Sequence, residues 1–251
     1  MDLFGHYVSL YDLWNYISIV FMLGYLLFKI NKFSMISKFS LMQKSAKRRI
    51  LVSLVEILLI AGVAFVLFKI LNPAFGDWFT QGNANYYGSL AAWFVVVTAF
   101  SFLFRADIFK THDLFTPALP LQLVFAKIAC FFTGCCHGFE MSDSLYVNPS
   151  SGIHEFPVQI IESIVALLLF ALLLIYQKKN RLTGSLFPIY LILYSFSRFL
   201  TEFMRGDLPN IIGPFDAYQI ISIISFSFGF LLYFIVYKYQ SRQVTVSNKD
   251  L

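Results

Sequence analysis

Charged residues are scarce in this sequence, and cysteine is scarcer still. Only 13% of the 251 residues are charged, against about 25% in a typical soluble domain, which excludes a water-soluble globular enzyme. Three cysteines are too few for a disulfide-stapled scaffold. The chain also has no internal repeat and no low-complexity tract, so collagen-like and disordered proteins are excluded as well.

Apolar residues take the place of the missing charges. They make up 58% of the chain, and 19% of all residues are aromatic, which is typical of a lipid-facing surface with interfacial aromatic belts. A helix needs roughly 20 apolar residues to cross the hydrocarbon core. We therefore predict an all-α membrane protein with seven transmembrane helices in a single domain, residues 1–251, with spans at about 11–30, 51–71, 87–104, 114–133, 156–176, 185–204 and 214–237.

The placement of basic residues predicts the orientation of these spans. Most of the 19 Lys and Arg residues lie in the first, third and fifth connections and in the C-terminal tail, whereas Lys69 and Arg205 lie in the opposite connections. The positive-inside rule then places the N-terminus outside and the C-terminus in the cytoplasm. We expect a multi-pass protein of the inner (cytoplasmic) membrane, and we expect no nucleic-acid partner because topology accounts for the basic charge.

Two prolines lie near the start of the fourth predicted span. Pro117 and Pro120 fall in its first turns, where proline costs least. Asp113 and Thr116 precede them as possible caps. We therefore expect a helical span from residue 114 to residue 133.

Charged and polar side chains inside the spans are the strongest functional signal, because charge in a membrane helix is costly. With the N-terminus outside, six of them lie at one level in the outer half of the bilayer: Lys127, Gln159, Glu162, Arg198, Glu202 and Arg205. The last three share a helix face, since they are spaced i, i+4 and i+7.

Two interpretations of these charges stay open. In the structural one, Glu202 pairs with Arg198 and Glu162 pairs with Lys127, and the pairs join helices. In the functional one, the three cations exceed the two carboxylates, and the surplus suits an anion. At this depth that anion would be a phospholipid phosphate, which Arg binds as a planar fork and Lys as a point charge.

The three cysteines lie together in the segment from Cys130 to Gly138. A metal site built from Cys135, Cys136 and His137 is conceivable, but three adjacent residues rarely converge on one ion, and we expect no metal. Cys130 either packs in the span or carries a reactive thiolate near Lys127.

Two glycines and a histidine complete this segment. Gly134 and Gly138 predict a tight turn that presents backbone amides to an anion. His137 lies at the outer border of the membrane, where it is either a base or a histidine with no role.

Four segments resemble the prolipoprotein diacylglyceryl transferase family. Gly184–Asp207 resembles the late helix of the family, and Pro157–Glu162 is similar to its His-Pro-x-Gln-Leu-Tyr-Glu segment. Tyr86–Leu90 is similar to its aromatic/His-Gly-Gly-Leu turn. Ala126–Gly138 lies where the family signature Gly-Arg-x-Gly-Asn-Phe-x-Asn-x-Glu-x-x-Gly belongs.

The signature segment departs most from the family pattern. The family's Arg is Lys127 here, its two Asn are Cys130 and Thr133, and its Glu is Cys135. The family's His that directly precedes the proline of the His-Pro-x-Gln-Leu-Tyr-Glu segment is Phe156 here. The Gly-Cys-Cys turn looks like that of a divergent branch of the family.

The resemblance implies a reaction in which a diacylglyceryl group passes from phosphatidylglycerol to the lipobox cysteine thiol of a prolipoprotein, without a cofactor. Cations would stabilise the departing phosphate, a carboxylate or His137 would act as the base, and Tyr87 would orient the headgroup. We predict the catalytic residues Lys127, Tyr87, His137, Arg198 and Glu202, with substrate-binding residues Gly88, Cys130, Gly138, Gln159, Glu162 and Arg205.

Two other functions stay open. The altered signature suits a transferase of the same fold with a different acceptor. A lipid-binding protein or transporter would also use a cationic pocket, although the polar residues cluster in one leaflet and no inverted repeat is evident.

Overall fold

The structure is a computed structural model that describes residues 2–3, 6–7, 10–29, 42–79, 86–179, 182–206 and 210–247. It is mostly helical. The helices are α1 (Leu10–Phe28), α2 (Ala46–Phe79), α3 (Tyr86–Leu103), α4 (Ile108–Phe115), α5 (Ala118–Thr133), α6 (Val158–Lys179), α7 (Leu186–Glu202) and α8 (Ala217–Ser247). The short strands β1 (Asp2–Leu3) and β2 (His6–Tyr7) pair antiparallel, as do β3 (Asn210–Ile212) and β4 (Phe215–Asp216).

Every predicted span overlaps a helix, although Ile30, at the end of the first span, lies outside the described residues. Within the described part of the chain, four helical stretches are long and apolar enough to cross a membrane: Tyr86–Leu103, Ile108–Thr133, Val158–Lys179 and Ala217–Arg242. These stretches fit a helical multi-pass membrane protein. The count of seven crossings and the sides of the termini stay predictions.

The fourth predicted span differs from its prediction, because a turn at Thr116 and Pro117 interrupts the helix. The helical stretch also begins earlier, since Asp107 caps α4 with its carboxylate. Asp113 does not cap α5. It accepts the backbone N–H of Leu186 at 3.0 Å and so caps the start of α7. Asp113 lies inside α4, and Pro117 occupies the N-cap position of α5 without a side-chain cap.

Contacts divide the chain into two compact units. The first unit comprises Met1–Gly24, Pro117–Asn180 and Pro188–Tyr233, and the second comprises Tyr25–Thr116, Arg181–Phe187 and Phe234–Leu251. In the first unit α5 packs on α6, and the Ser163 hydroxyl donates to the Val124 carbonyl across this contact at 3.2 Å. In the second unit α3 packs on both α2 and α4. The expectation of a single domain stays a prediction.

Helix α6 shows why an almost wholly apolar sequence suits a membrane. One face is buried by Ala166, Leu169 and Leu173, whereas the opposite face exposes about half of each of several aliphatic side chains, Ile164, Leu167, Leu168, Leu172 and Ile175. A helix in water would carry polar residues on its exposed face. This apolar outer face is suited to lipid.

A long connection, residues 134–157, joins α5 to α6 and returns to the end of α7. Isolated antiparallel bridges join Gly138 to Arg205, Glu140 to Glu155, and Val147 to His154. The first of these bridges places the start of the connection beside Arg205, the first charged residue after α7. The fold therefore brings the cysteine segment and the charged helix end together within the first unit.

Candidate functional site

Five charged side chains form a continuous network of ion pairs in the first unit, which we call the charge cluster: Lys127, Glu162, Arg198, Glu202 and Arg205. Glu162 on α6 is shared, since its Oε2 lies 2.6 Å from Lys127 Nζ on α5 and its Oε1 pairs with Arg198 Nη1 on α7. Arg198 Nη2 lies 2.6 Å from Glu202 Oε2. Both pairs of the structural interpretation are therefore present, and Glu162 links them.

Arg205 joins the cluster although α7 ends before it. Its Nε lies 3.4 Å from Glu202 Oε1, and its backbone N–H donates to the Glu202 carbonyl at 3.0 Å, which holds one more turn after the helix. The i, i+4, i+7 spacing therefore places all three residues together, as expected. The Arg198 and Glu202 side chains are 6% and 0% exposed, so little water screens the pair.

Two residues at the start of α8, which the sequence did not single out, complete the cluster. The ring of Tyr218 lies 5.1 Å from Arg198 Cζ and 5.9 Å from Arg205 Cζ, so it contacts both guanidinium groups. Asp216 is buried and close enough to Glu202 to interact electrostatically. Its position directly before an apolar run is typical of a helix N-cap, and this sequence feature could have identified Asp216.

Asp216 changes the charge balance inferred from the sequence. Among the described residues of this region, three cations now meet three carboxylates, so the expected surplus of one positive charge is not found. An incoming anion would have to compete with a carboxylate for its cation. The functional interpretation therefore requires that ion pairs exchange partners.

Lys127, Glu162 and Arg198 line one small cavity. Its volume is about 10 Å³, and most of its other lining residues are apolar. That volume holds about one water molecule. The cations thus converge as expected, but a lipid headgroup enters only if the surrounding ion pairs open.

The cysteine segment forms the tight turn that its glycines predicted, and we call residues 130–138 the thiol turn. Gly134 ends α5 in the left-handed conformation, with φ of 76°. Cys136 also has positive φ, at 57°. The Sγ atoms of Cys130, Cys135 and Cys136 all lie within 4.8 Å of one another. Hydrogen bonds from the Cys130 and Cys135 thiols hold the pKa of Cys136 well below its usual value, and nearby Lys127 and Arg205 lower it further.

The amides of both glycines in the turn donate within the protein, and that of Gly134 donates to the Cys130 carbonyl. Gly138 donates its N–H to the Phe156 carbonyl at 3.1 Å, so the expected amide contact with an anion would require that bond to break. A Cβ on Gly138 would meet the carbonyl oxygens of Phe156 and Met204, which explains the glycine. Gln159, predicted to bind substrate, donates from Nε2 to the Cys135 carbonyl at 2.9 Å and so holds the turn.

His137 projects from the turn and pairs with a buried carboxylate. Its Nδ1 lies 3.2 Å from Glu155 Oε2, and its side chain is 31% exposed while that of Glu155 is 2% exposed. Glu155 also accepts from Asn148 Nδ2 at 2.6 Å and from Ser151 Oγ at 3.1 Å. Glu155 was not expected from the sequence, and its only signal was an acid just before a predicted span.

A family model described as prolipoprotein diacylglyceryl transferase matches residues 3–235. The chain belongs to this family. The resemblance to this family is thereby confirmed.

Relatives within the family share about a third of their aligned residues with this chain. A protein of Clostridium perfringens named phosphatidylglycerol--prolipoprotein diacylglyceryl transferase 2 is 33% identical over 59% of this chain and 60% of its own length. A transferase of Clostridium tetani is 33% identical over 51% of this chain and 53% of its own length. One of Campylobacter hominis is 29% identical over 72% and 67%. The chain thus matches a little over half of the length of the first two relatives.

Two of the predicted site residues, Tyr87 and Gly88, belong to the second unit. They lie in the first turn of α3, where Tyr87 is buried and Gly88 is partly exposed. All of the other predicted site residues lie in the first unit. The roles of Tyr87 and Gly88 stay predictions.

Proposed function

We propose that the chain transfers a diacylglyceryl group from phosphatidylglycerol to the lipobox cysteine thiol of a prolipoprotein, releasing glycerol phosphate. Family membership and the printed names of the relatives support this reaction. The observation that carries the proposal is the shared carboxylate of Glu162, which joins Lys127 and Arg198 from two other helices. These cations occupy the positions where the resemblance expects basic residues.

In the proposed reaction the acceptor sulfur attacks the glyceryl carbon that bears the phosphate. The carbon–oxygen bond breaks, and its electron pair leaves on the phosphate. Arg198, Arg205 and Lys127 stabilise this charge, because fixed donors in a dry site strengthen as charge develops. The phosphate takes the place of a carboxylate in the ion-pair network. Glu162 is the carboxylate in question, since its two oxygens occupy the positions beside Lys127 and Arg198 that phosphate oxygens would take.

His137 is the proposed base that takes the proton of the acceptor thiol. Glu155 engages Nδ1 of the ring, and the pairing leaves Nε2 as the nitrogen that accepts the proton, an arrangement common to catalytic histidines. Glu162 and Glu202 were the other candidates, but both carboxylates hold cations in the charge cluster. In the proposed site, Cys130, Gly138 and Gln159 would support the turn that carries His137.

The proposed site faces the outer side of the inner membrane. Seven crossings with the N-terminus outside put the charge cluster in the outer leaflet, where the positive-inside rule places it. The acceptor is then presented from outside, and the acyl chains of phosphatidylglycerol stay in the bilayer. No resident cofactor is required, since the displacement involves neither redox nor nucleotide chemistry.

A transfer assay on the full chain tests the proposal. The purified protein in mixed micelles receives phosphatidylglycerol labelled in its diacylglyceryl part and a lipobox peptide. We expect label on the peptide and release of glycerol phosphate. Arg198→Lys should lower the rate about 10²- to 10³-fold, because removing one transition-state donor has that effect. Arg242→Lys, the same change at an exposed site, should leave it unchanged.

The other outcomes separate the alternative functions. Consumption of labelled lipid without labelled peptide would point to a transferase with a different acceptor. Binding of phosphatidylglycerol without its consumption would favour a lipid-binding protein or transporter and overturn the proposed reaction.

A further inference from the structure

Three thiols meet at the end of α5, and the proposed transfer needs no thiol of the enzyme itself. The Sγ atoms of Cys130, Cys135 and Cys136 lie within 4.8 Å of one another. Cys130 is buried, whereas Cys135 and Cys136 are partly exposed. The cluster is therefore reachable from outside the helix bundle.

The backbone explains why neighbouring residues converge. Gly134 reverses the chain in the left-handed conformation, and the N–H of Cys135 returns to the Cys130 carbonyl at 3.2 Å. Cys136 then adopts a positive φ of 57°, which costs a residue with a Cβ roughly 1–2 kcal/mol. Strain of this kind persists where the surrounding structure holds a functional geometry.

Side chains outside the turn hold it in place. Asn148 Nδ2 donates to the Gly134 carbonyl at 3.0 Å, and Gln159 Nε2 donates to the Cys135 carbonyl at 2.9 Å. Both donors are buried. The three sulfurs are thus positioned before any ligand arrives, which removes the ordering cost that weakens binding to a flexible loop.

The donor set selects the class of ligand. Three sulfurs suit soft d¹⁰ cations, whereas magnesium and calcium require oxygen ligands. Zinc–sulfur bonds of about 2.3 Å place bound sulfurs about 3.8 Å apart, so the observed limit of 4.8 Å needs only small side-chain shifts. Lys127 and Arg205 interact electrostatically with Cys136, and they would offset the negative charge of three thiolates around a divalent ion.

We propose that Cys130, Cys135 and Cys136 form a three-thiolate site for a thiophilic d¹⁰ metal ion of the zinc group. Each thiol releases its proton and donates a lone pair, and no electron is transferred. Among the described residues, the ligand atoms that converge within 4.8 Å belong to these three cysteines, and His137 is not one of them. From the sequence we expected no metal, because Cys135, Cys136 and His137 are adjacent and no further ligand pair is spaced for zinc. The turn adds Cys130 from the preceding helix.

Cadmium titration of the full chain tests this site. The protein is purified with reductant, freed of metal by a chelator and titrated with Cd²⁺, while thiolate-to-metal charge-transfer absorption and reagent-accessible thiols are measured. We expect one Cd²⁺ per chain, loss of the reagent-accessible thiols, and a higher thermal unfolding midpoint because the ion binds the folded state. Each single Cys→Ser substitution should weaken binding at least about 100-fold, since outer-shell changes alone weaken metal sites 10- to 100-fold.

His137→Gln is the matched control and should leave the cadmium affinity unchanged. Loss of affinity in this variant would overturn the three-thiolate set in favour of one containing histidine. Unchanged affinity in Cys130→Ser, or a disulfide that consumes two thiols in the reduced preparation, would overturn the site. The titration uses neither lipid donor nor peptide acceptor, so its failure leaves the proposed transfer standing.

Discussion

The charge cluster and the thiol turn lie in the same unit, but different interactions hold them. Glu162 and Arg198 are fixed by ion pairs between side chains of separate helices. The turn around Gly138 is fixed by its own backbone and by amide donors such as Gln159. In the cluster, the same side chains therefore hold the helices together and take part in the proposed reaction. In the turn, the backbone and amide donors hold the structure, whereas the His137 side chain takes part in the proposed reaction.

The largest expected effect is a loss of transfer activity, without a loss of stability, on substitution of His137 in the turn. His137→Gln should lower the transfer rate about 10²- to 10⁴-fold, the usual range for a general base. The thermal unfolding midpoint should stay unchanged, because Glu155 keeps its hydrogen bonds from Asn148 and Ser151. His154→Gln, at an exposed histidine, is the control. Equal activity of the two variants would remove His137 from the mechanism.

In the cluster, one substitution should change activity and stability together. Arg198→Met leaves one oxygen of Glu162 without its partner and leaves Arg205 as the remaining cation of Glu202. Breaking a buried ion pair costs about 3–5 kcal/mol. Chemical unfolding in mixed micelles measures this loss. The double variant Arg198→Met with Glu162→Gln should lose less than the sum of the single variants, because the second change removes a stranded charge. Additive losses would mean that the pair is not coupled.

Gly138→Ala tests the close backbone contacts of the turn. Its Cβ would meet the carbonyl oxygens of Phe156 and Met204, and overpacking of this kind destabilises by about 1–3 kcal/mol. Gly24→Ala is the matched control, since no atom lies within 4 Å of that Cβ. It should be neutral or stabilise by up to about 1 kcal/mol. Equal unfolding free energies for the two variants would contradict the packing account.

The smallest expected effect concerns the aromatic contact of the cluster. Tyr218→Leu removes the ring that lies against Arg198 and Arg205, and cation–π contacts of this kind contribute about 0.5–2 kcal/mol. Tyr218→Phe keeps the ring and should keep most of this stability. A greater loss in the Phe variant than in the Leu variant would show that the hydroxyl matters more than the ring.

Several features of the fold and site could be predicted because they depend on local spacing. The apolar runs predicted a helix under every span, and the i, i+4 spacing predicted the pair of Arg198 with Glu202. The partner of Asp113 could not be predicted, because its carboxylate caps a helix more than 70 residues later. Glu155 was also missed, because only the folding of the connection brings its partners His137 and Asn148 to it.

By itself, the sequence determined the class of protein and its family, because hydropathy and short motifs survive in any arrangement of the helices. Only the tertiary structure decided which charges meet, placing Asp216 beside the cluster and removing the apparent excess of cations. It also decided that Cys130 joins Cys135 and Cys136. Contacts between residues that are far apart in sequence, or that a turn brings together, depend on the path of the backbone. Hydropathy and short motifs do not specify that path.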